Sequence, residues 1–229
     1  QQGDCMADYD NAELATARRW WQNNAGPAIV GIIVGIVLIG GWYGYDWYQT
    51  RQSTEAAKLY AQVATGIQAD NVTGGLVNEV DRLQDDYSGT PYAAAGAMSL
   101  ARYYVQQDAF DKARQRLTWA HENANDAGIR AIAGVRAARV EWAQNNAGAA
   151  LALLDDDHPA SFDALYNELA GDIHMAQGDR NAAHKAYQSA LDTLPQDVAR
   201  QPLVEKASAA APLDTANTQP STSSDKTPS

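Results

Sequence analysis

An uncharged run of 24 residues, Gln22 to Tyr45, constrains this chain more than any other feature. Its centre, Ala28 to Leu38, reads AIVGIIVGIVL and has no polar face, so it does not suit the packed helix of a soluble core. Roughly 20 helical residues rising about 1.5 Å each cover about 30 Å, the thickness of a bilayer's hydrocarbon layer. The nine Ile, Val and Leu residues from Ile29 to Ile39 contribute roughly −3 to −5 kcal/mol toward insertion. Trp20 and Trp21 precede the run, and Trp42, Tyr43, Tyr45, Trp47 and Tyr48 follow it, the placement of interfacial aromatic belts. The pattern predicts a transmembrane helix over 23–45. A signal peptide would be cleaved after small residues, but this run exits into Gly40-Gly41-Trp42-Tyr43-Gly44-Tyr45, where aromatics crowd those positions. The expectation is a retained anchor.

Arg18 and Arg19 lie just before the run, whereas Arg51 and Lys58 lie further beyond it. The positive-inside rule therefore predicts a cytoplasmic stub over 1–22 and the bulk of the chain on the far side. Gly31 and Gly35 are four residues apart, as are Gly40 and Gly44, and such pairs let a second membrane helix approach closely. Gly31 and Gly35 are the candidate helix-packing pair. Cys5, the single cysteine, has no intramolecular partner, and no apolar run leads into it as a lipid-attachment site needs. Met6 is a candidate natural start, the five residues before it being either a vector remnant or part of a longer beginning.

Beyond the run the chain reads as helix throughout. Ala56, Leu59, Tyr60, Val63 and Ile67 form one apolar stripe on a helix from Asp46 to Ile67. Gly74-Gly75 is expected to break it. Leu76, Val80, Leu83 and Tyr87 mark a second amphipathic helix, ended by Ser88-Gly89-Thr90-Pro91. Three similar segments follow, Ser99–Ala120, Arg136–Asp156 and Leu169–Pro195, each a helix, a polar turn and a helix. Their anchor alanines Ala113, Ala150 and Ala183 are 37 and 33 residues apart, close to the period of about 34 residues of tetratricopeptide repeats.

The last segment carries that pattern best. Gly171, Gly178, Ala183, Tyr187, Ala190 and Pro195 fall at tetratricopeptide spacings. Gly171, Ala183 and Ala190 are small where paired helices cross closely. Tyr187 fills the gap beside them, and Pro195, without a backbone donor, stops the second helix. Ala101, Tyr104, Phe110, Ala113, Leu117 and Ala120 repeat the logic in the first segment. The middle segment departs from it, with Glu141 where an aromatic is usual and Asn145 in place of Gly. The reading is all-α: a repeat domain over 46–205, then a tail over 206–229 too poor in apolar residues to order itself.

Chemistry finds little foothold. A net charge of −11 repels phosphate backbones and argues against nucleic acid. His121, His158, His174 and His184 form no HExxH pair, and His174 stands at a packed position of the repeat. Asp155-Asp156-Asp157-His158-Pro159 lacks the alternation and closing Glu of a calcium loop and reads as solvated. There is no phosphate loop, nucleophile elbow or dinucleotide fingerprint, so catalytic and metal residues, cofactor and small-molecule substrate are all expected to be none.

Gly-Trp-Tyr-Gly-Tyr at the end of the run, LARYYVQQDAFDKARQRL and AGDIHMAQGDRNAAHKAYQSAL together resemble the YfgM family, over roughly Ala12 to Leu194. The most distinctive stretch is Leu169 to Ala190, with Ala-Gly-Asp followed by Gln-Gly-Asp. The resemblance implies an ancillary subunit of the bacterial SecYEG translocon, anchored in the inner membrane with its repeat domain in the periplasm. It also implies partnership with the membrane-bound chaperone PpiD in helping newly exported proteins, and no catalytic residues. The Thr/Ser/Pro-rich tail departs from shorter members of that family. An envelope assembly or division tether built on the same repeats is the competing expectation.

Overall fold

The computed structural model describes the backbone of residues 4–195 and 199–212, and the side chains of 26, 29–31, 33–195 and 199–212. Two compact units divide the chain, Gln1–Thr54 and Glu55–Ser229. The expected tail from 213 onward lies outside the described residues, as do the side chains of Cys5, Arg18, Arg19, Trp20 and Trp21.

Helix α1 (Asp4–Gln68) supplies the first unit and opens the second. Its stretch Ile29–Gln68 is long and apolar enough to cross a membrane, and none of the most apolar part is buried. Ile29, Val30, Ile33, Val34, Ile36, Val37, Leu38 and Ile39 all stand exposed. Beyond Trp42 the surface becomes mixed. Gln49 donates to the Tyr45 hydroxyl at 2.8 Å, Gln52 to that of Tyr48 at 2.7 Å, and the Arg51 guanidinium lies 4.9 Å from the Trp47 ring. Rings with an apolar body and a hydrogen-bonded polar tip suit a boundary between lipid and water.

The second unit is a row of helical hairpins. The end of α1 packs with α2 (Gly74–Asp86), α3 (Pro91–Gln106) with α4 (Phe110–Asn123), and α5 (Ala127–Ala143) with α6 (Ala147–Leu154). After a short 3-10 turn at Ala160–Phe162, α7 (Asp163–Ala176) pairs with α8 (Arg180–Thr193). Helix α9 (Gln201–Ala210) closes the row on α8. The first helices of successive hairpins also touch, α3 with α5 and α5 with α7. Helix α5 therefore has neighbours on several sides. This is why Ala131, Ala133, Gly134, Val135, Ala137, Ala138 and Val140 are all buried, and why so many of them are small.

One turn recurs four times. Asp70, Asp108, Asn145 and Gly178 adopt left-handed φ of 52°, 55°, 63° and 82°. In each hairpin the following amide donates five residues back: Asn71 to Gly66, Ala109 to Tyr104, Asn146 to Glu141 and Asp179 to His174, all at 2.8–2.9 Å. That is the Schellman closure, which satisfies the last carbonyls of a helix and reverses the chain. Asn replaces Gly in the middle hairpin because Asn tolerates the left-handed region better than most residues.

The structure corrects the sequence reading in three places. Gly74 and Gly75 do not break the helix; they open α2, and the break lies at 69–73, where Thr73 caps the Leu76 amide at 3.4 Å. The repeat begins one hairpin earlier than Ser99, since the end of α1 and α2 share the same turn. The fold does not stop at 205. Leu203, Ala207 and Ala210 are buried with Ala183, Tyr187 and Ala190, so the ordered domain runs to the end of α9.

Candidate interaction groove

Between α3, α4 and α5 the hairpins leave a groove of about 310 Å³. Met98, Ala101, Leu117 and Val140 belong to its floor, with Val105, Phe110 and Ala143 along it. Ala101, Leu117 and Val140 also form the core beneath it with Ala113 and Ala137, so the floor is fixed by packing. Arg102, Arg136 and Arg139 line the groove and are exposed, and no Asp or Glu does so. Sequence reasoning gave none of these arginines a role. The available signal was that Arg102 and Arg139 are 37 residues apart, the same interval that separates Asp108 from Asn145.

The residues expected to pack the repeat converge at its last hairpin. Ala183 and Ala190 are fully buried, and Tyr187 lies across Gly171 so closely that a methyl there would stand 2.5 Å from the ring. The Tyr187 hydroxyl donates to Asp172 at 2.8 Å. Burial, and then that hydrogen bond, push its pKa well above the ordinary phenol range. Lys206 of α9 donates to Glu168 at 2.7 Å and to Asp172 at 2.9 Å. Burial lowers the Lys206 pKa, but the two carboxylates more than reverse this and hold it above the usual lysine value. Ala113 and Ala150 occupy the corresponding buried places on α4 and α6, and Gly178 makes the α7–α8 turn.

Glu141 shows how the middle hairpin tolerates its departure. It is buried, yet Asn146 donates to it at 3.1 Å and Arg114 of α4 lies 3.5 Å away, so a charge replaces the usual aromatic as the link to the neighbouring hairpin. The acidic loop after α6 is exposed but pinned. Asp156 lies 3.1 Å from His121 Nε2, and His158 is stacked on Tyr166 at 3.7 Å, with its Nε2 3.2 Å from Asp163. Among the described residues no group of three or more His, Cys, Asp or Glu side chains gathers as a metal site would require.

Gly31 is exposed and Gly35 half-buried, and an added methyl would meet nothing within 4 Å at either, or at Gly40 and Gly44. Gly31 and Gly35 share one face of α1 and Gly40 and Gly44 the opposite one, and neither face is covered by another described residue.

Repeated hairpins with a common left-handed turn and a closing helix define a tetratricopeptide-like scaffold. The family model described as Tetratricopeptide repeat-like domain matches residues 18–210. Three curated proteins, each named ancillary SecYEG translocon subunit, align along most of the chain. The Neisseria gonorrhoeae protein is 30% identical over 199 residues, 86% of this chain and 94% of the relative. That of Haemophilus influenzae is 26% identical, covering 85% and 96%, and that of Escherichia coli 22%, covering 80% and 88%. The chain belongs to this YfgM-type family of ancillary translocon subunits.

Proposed function

We propose that this chain is an inner-membrane scaffold held beside the SecYEG translocon, with its N-terminus cytoplasmic and its hairpin unit in the periplasm. There it assists a membrane-bound, PpiD-like chaperone with newly exported chains. The observation that carries the reading is the joint extent of the likeness: relatives named as translocon subunits align along 85–86% of the chain, and the family model spans residues 18–210, the apolar helix and the repeats alike. The exposed apolar face of Ile29 to Ile39 supports a single span, and the Gly31/Gly35 face supports lateral contact with another membrane helix, since small residues let backbones approach closely in lipid. Tethering raises the local concentration of the repeats where chains emerge.

Co-purification of the full chain in mild detergent tests the association. Translocon subunits and a periplasmic chaperone should dominate the eluate. Cell-wall or division enzymes in their place would instead make the chain an envelope assembly tether. Orientation is tested by a reporter that fluoresces only in the cytoplasm, fused after Pro195, which should stay dark.

A further inference from the structure

The groove between α3, α4 and α5 is charged against the rest of the chain. Acidic residues outnumber basic ones by 28 to 17. Arg82, Arg114, Arg116 and Lys206 all sit in ion pairs, and Arg130, Arg180 and Arg200 donate to backbone carbonyls, whereas among the described residues Arg102, Arg136 and Arg139 do neither. Arg136 reaches only the Met98 sulfur, at 3.5 Å. The last hairpin shows what this repeat position does when answered. Asp172 lies 33 residues after Arg139, the interval between Asn145 and Gly178, and it is held by Lys206 from α9. Successive hairpins thus carry Arg, Arg and Asp at one place on their first helices, and among the described residues only the Asp has a counter-ion.

We propose that this groove holds an acidic, apolar peptide segment of a partner protein, with its large side chains on the floor and its carboxylates on Arg102, Arg136 and Arg139. The inference rests on the scaffold reading above and names the chemistry that the scaffold selects. Guanidinium groups pair with carboxylates through parallel hydrogen bonds and shed water more readily than ammonium groups. The floor requires more than charge: Met98, Ala101, Leu117 and Val140 offer nothing to a bare anion but suit a Leu or Phe side chain. A volume of about 310 Å³ admits a few side chains, not the face of a folded domain.

The test uses the full chain in nanodiscs of zwitterionic lipid and a fluorescent peptide of alternating Glu and Leu, followed by anisotropy. The peptide should bind, and binding should weaken with added salt. Its Gln-for-Glu counterpart should bind at least about tenfold more weakly, as should the peptide to the R102Q/R136Q/R139Q chain. The corresponding triple Lys chain should recover part of the loss. All three arginines are exposed, so the variants should keep the wild-type thermal melt, checked by circular dichroism. Equal binding to the wild-type and triple Gln chains, or none to the wild type, overturns the proposal. Arginine-dependent binding of anionic vesicles without peptide binding overturns it in favour of a lipid headgroup. The triple Gln chain should also be tested for translocon co-purification. If the wild-type chain co-purifies with the translocon but does not bind the peptide, only the groove assignment falls. If it binds the peptide but does not co-purify, the scaffold's location falls instead.

Discussion

Gly171→Ala should destabilise the second unit although it places the best helix former inside a helix. An added Cβ would stand 2.5 Å from Cε1, 2.6 Å from Cδ1 and 3.0 Å from Cζ of Tyr187, where carbon atoms in contact prefer about 3.5–4.0 Å. The ring has little room to retreat: it is buried with Ala183, Ala190, Leu203 and Ala207, and its hydroxyl is engaged by Asp172. Overpacking of this kind costs about 1–3 kcal/mol, and alanine returns about 0.8–1 kcal/mol of helix propensity, so the net loss should be roughly 1 kcal/mol. For a unit of this size that lowers the melting temperature by about 2–4 °C. Gly148→Ala is the control, since that residue opens α6, is exposed, and has nothing within 4 Å of an added methyl. It should be neutral or gain up to about 1 kcal/mol. In a Tyr187→Leu background the loss at Gly171 should vanish. Thermal melts of the wild type and the four variants decide the matter. Equal shifts from Gly171→Ala and Gly148→Ala in the wild-type background would refute the reasoning.

Gly178→Ala should lose about 1–2 kcal/mol by denaturant unfolding, because its φ of 82° is the obstacle and no neighbour is within 4 Å. Asn145→Gly, at the equivalent turn, should be neutral or stabilising. Leu203→Ala should lose about 2–3 kcal/mol if α9 belongs to the fold, and nothing measurable if the domain ends at 205. The raised pKa values of Tyr187 and Lys206 mean that the folded state holds both protons more tightly than the unfolded chain. Their stabilisation is complete below the unfolded values, about 10 to 10.4, and is lost as pH rises above them. A Lys206→Met chain should therefore lose less stability than wild type between pH 9 and pH 11 in buffered melts; parallel curves would contradict this.

Much of the fold could be read from residue spacing because the turns are local. A left-handed residue followed five positions later by a buried alanine marks the hairpins at Asp108, Asn145 and Gly178. The two helices of the first hairpin are legible, but its kinship to the other hairpins is not, for a local reason too. The helix cap follows the turn residue directly in those three, but Thr73 comes three residues after Asp70, which shifts the register and leaves Val77 where the alanines stand. Helix α9 was hidden by its composition: Leu203, Ala207 and Ala210 form a helical stripe, but Ala207 and Ala210 sit in a run of Ala and Ser that reads as a tail. The groove arginines were the least legible. Their significance lies in lining one groove without an ion-pair partner among the described residues, and that depends on which helices the fold brings together.

The central claim, that the apolar helix lodges this scaffold against the translocon, is tested most directly by photo-crosslinking in living cells. A photoreactive residue replaces Val34, which is exposed and lies between Gly31 and Gly35 in sequence. The account predicts an adduct joining the full chain to a membrane subunit of the translocon, diminished when both glycines are replaced by Leu. Adducts confined to lipid, or formed with a cell-wall enzyme instead, would contradict it.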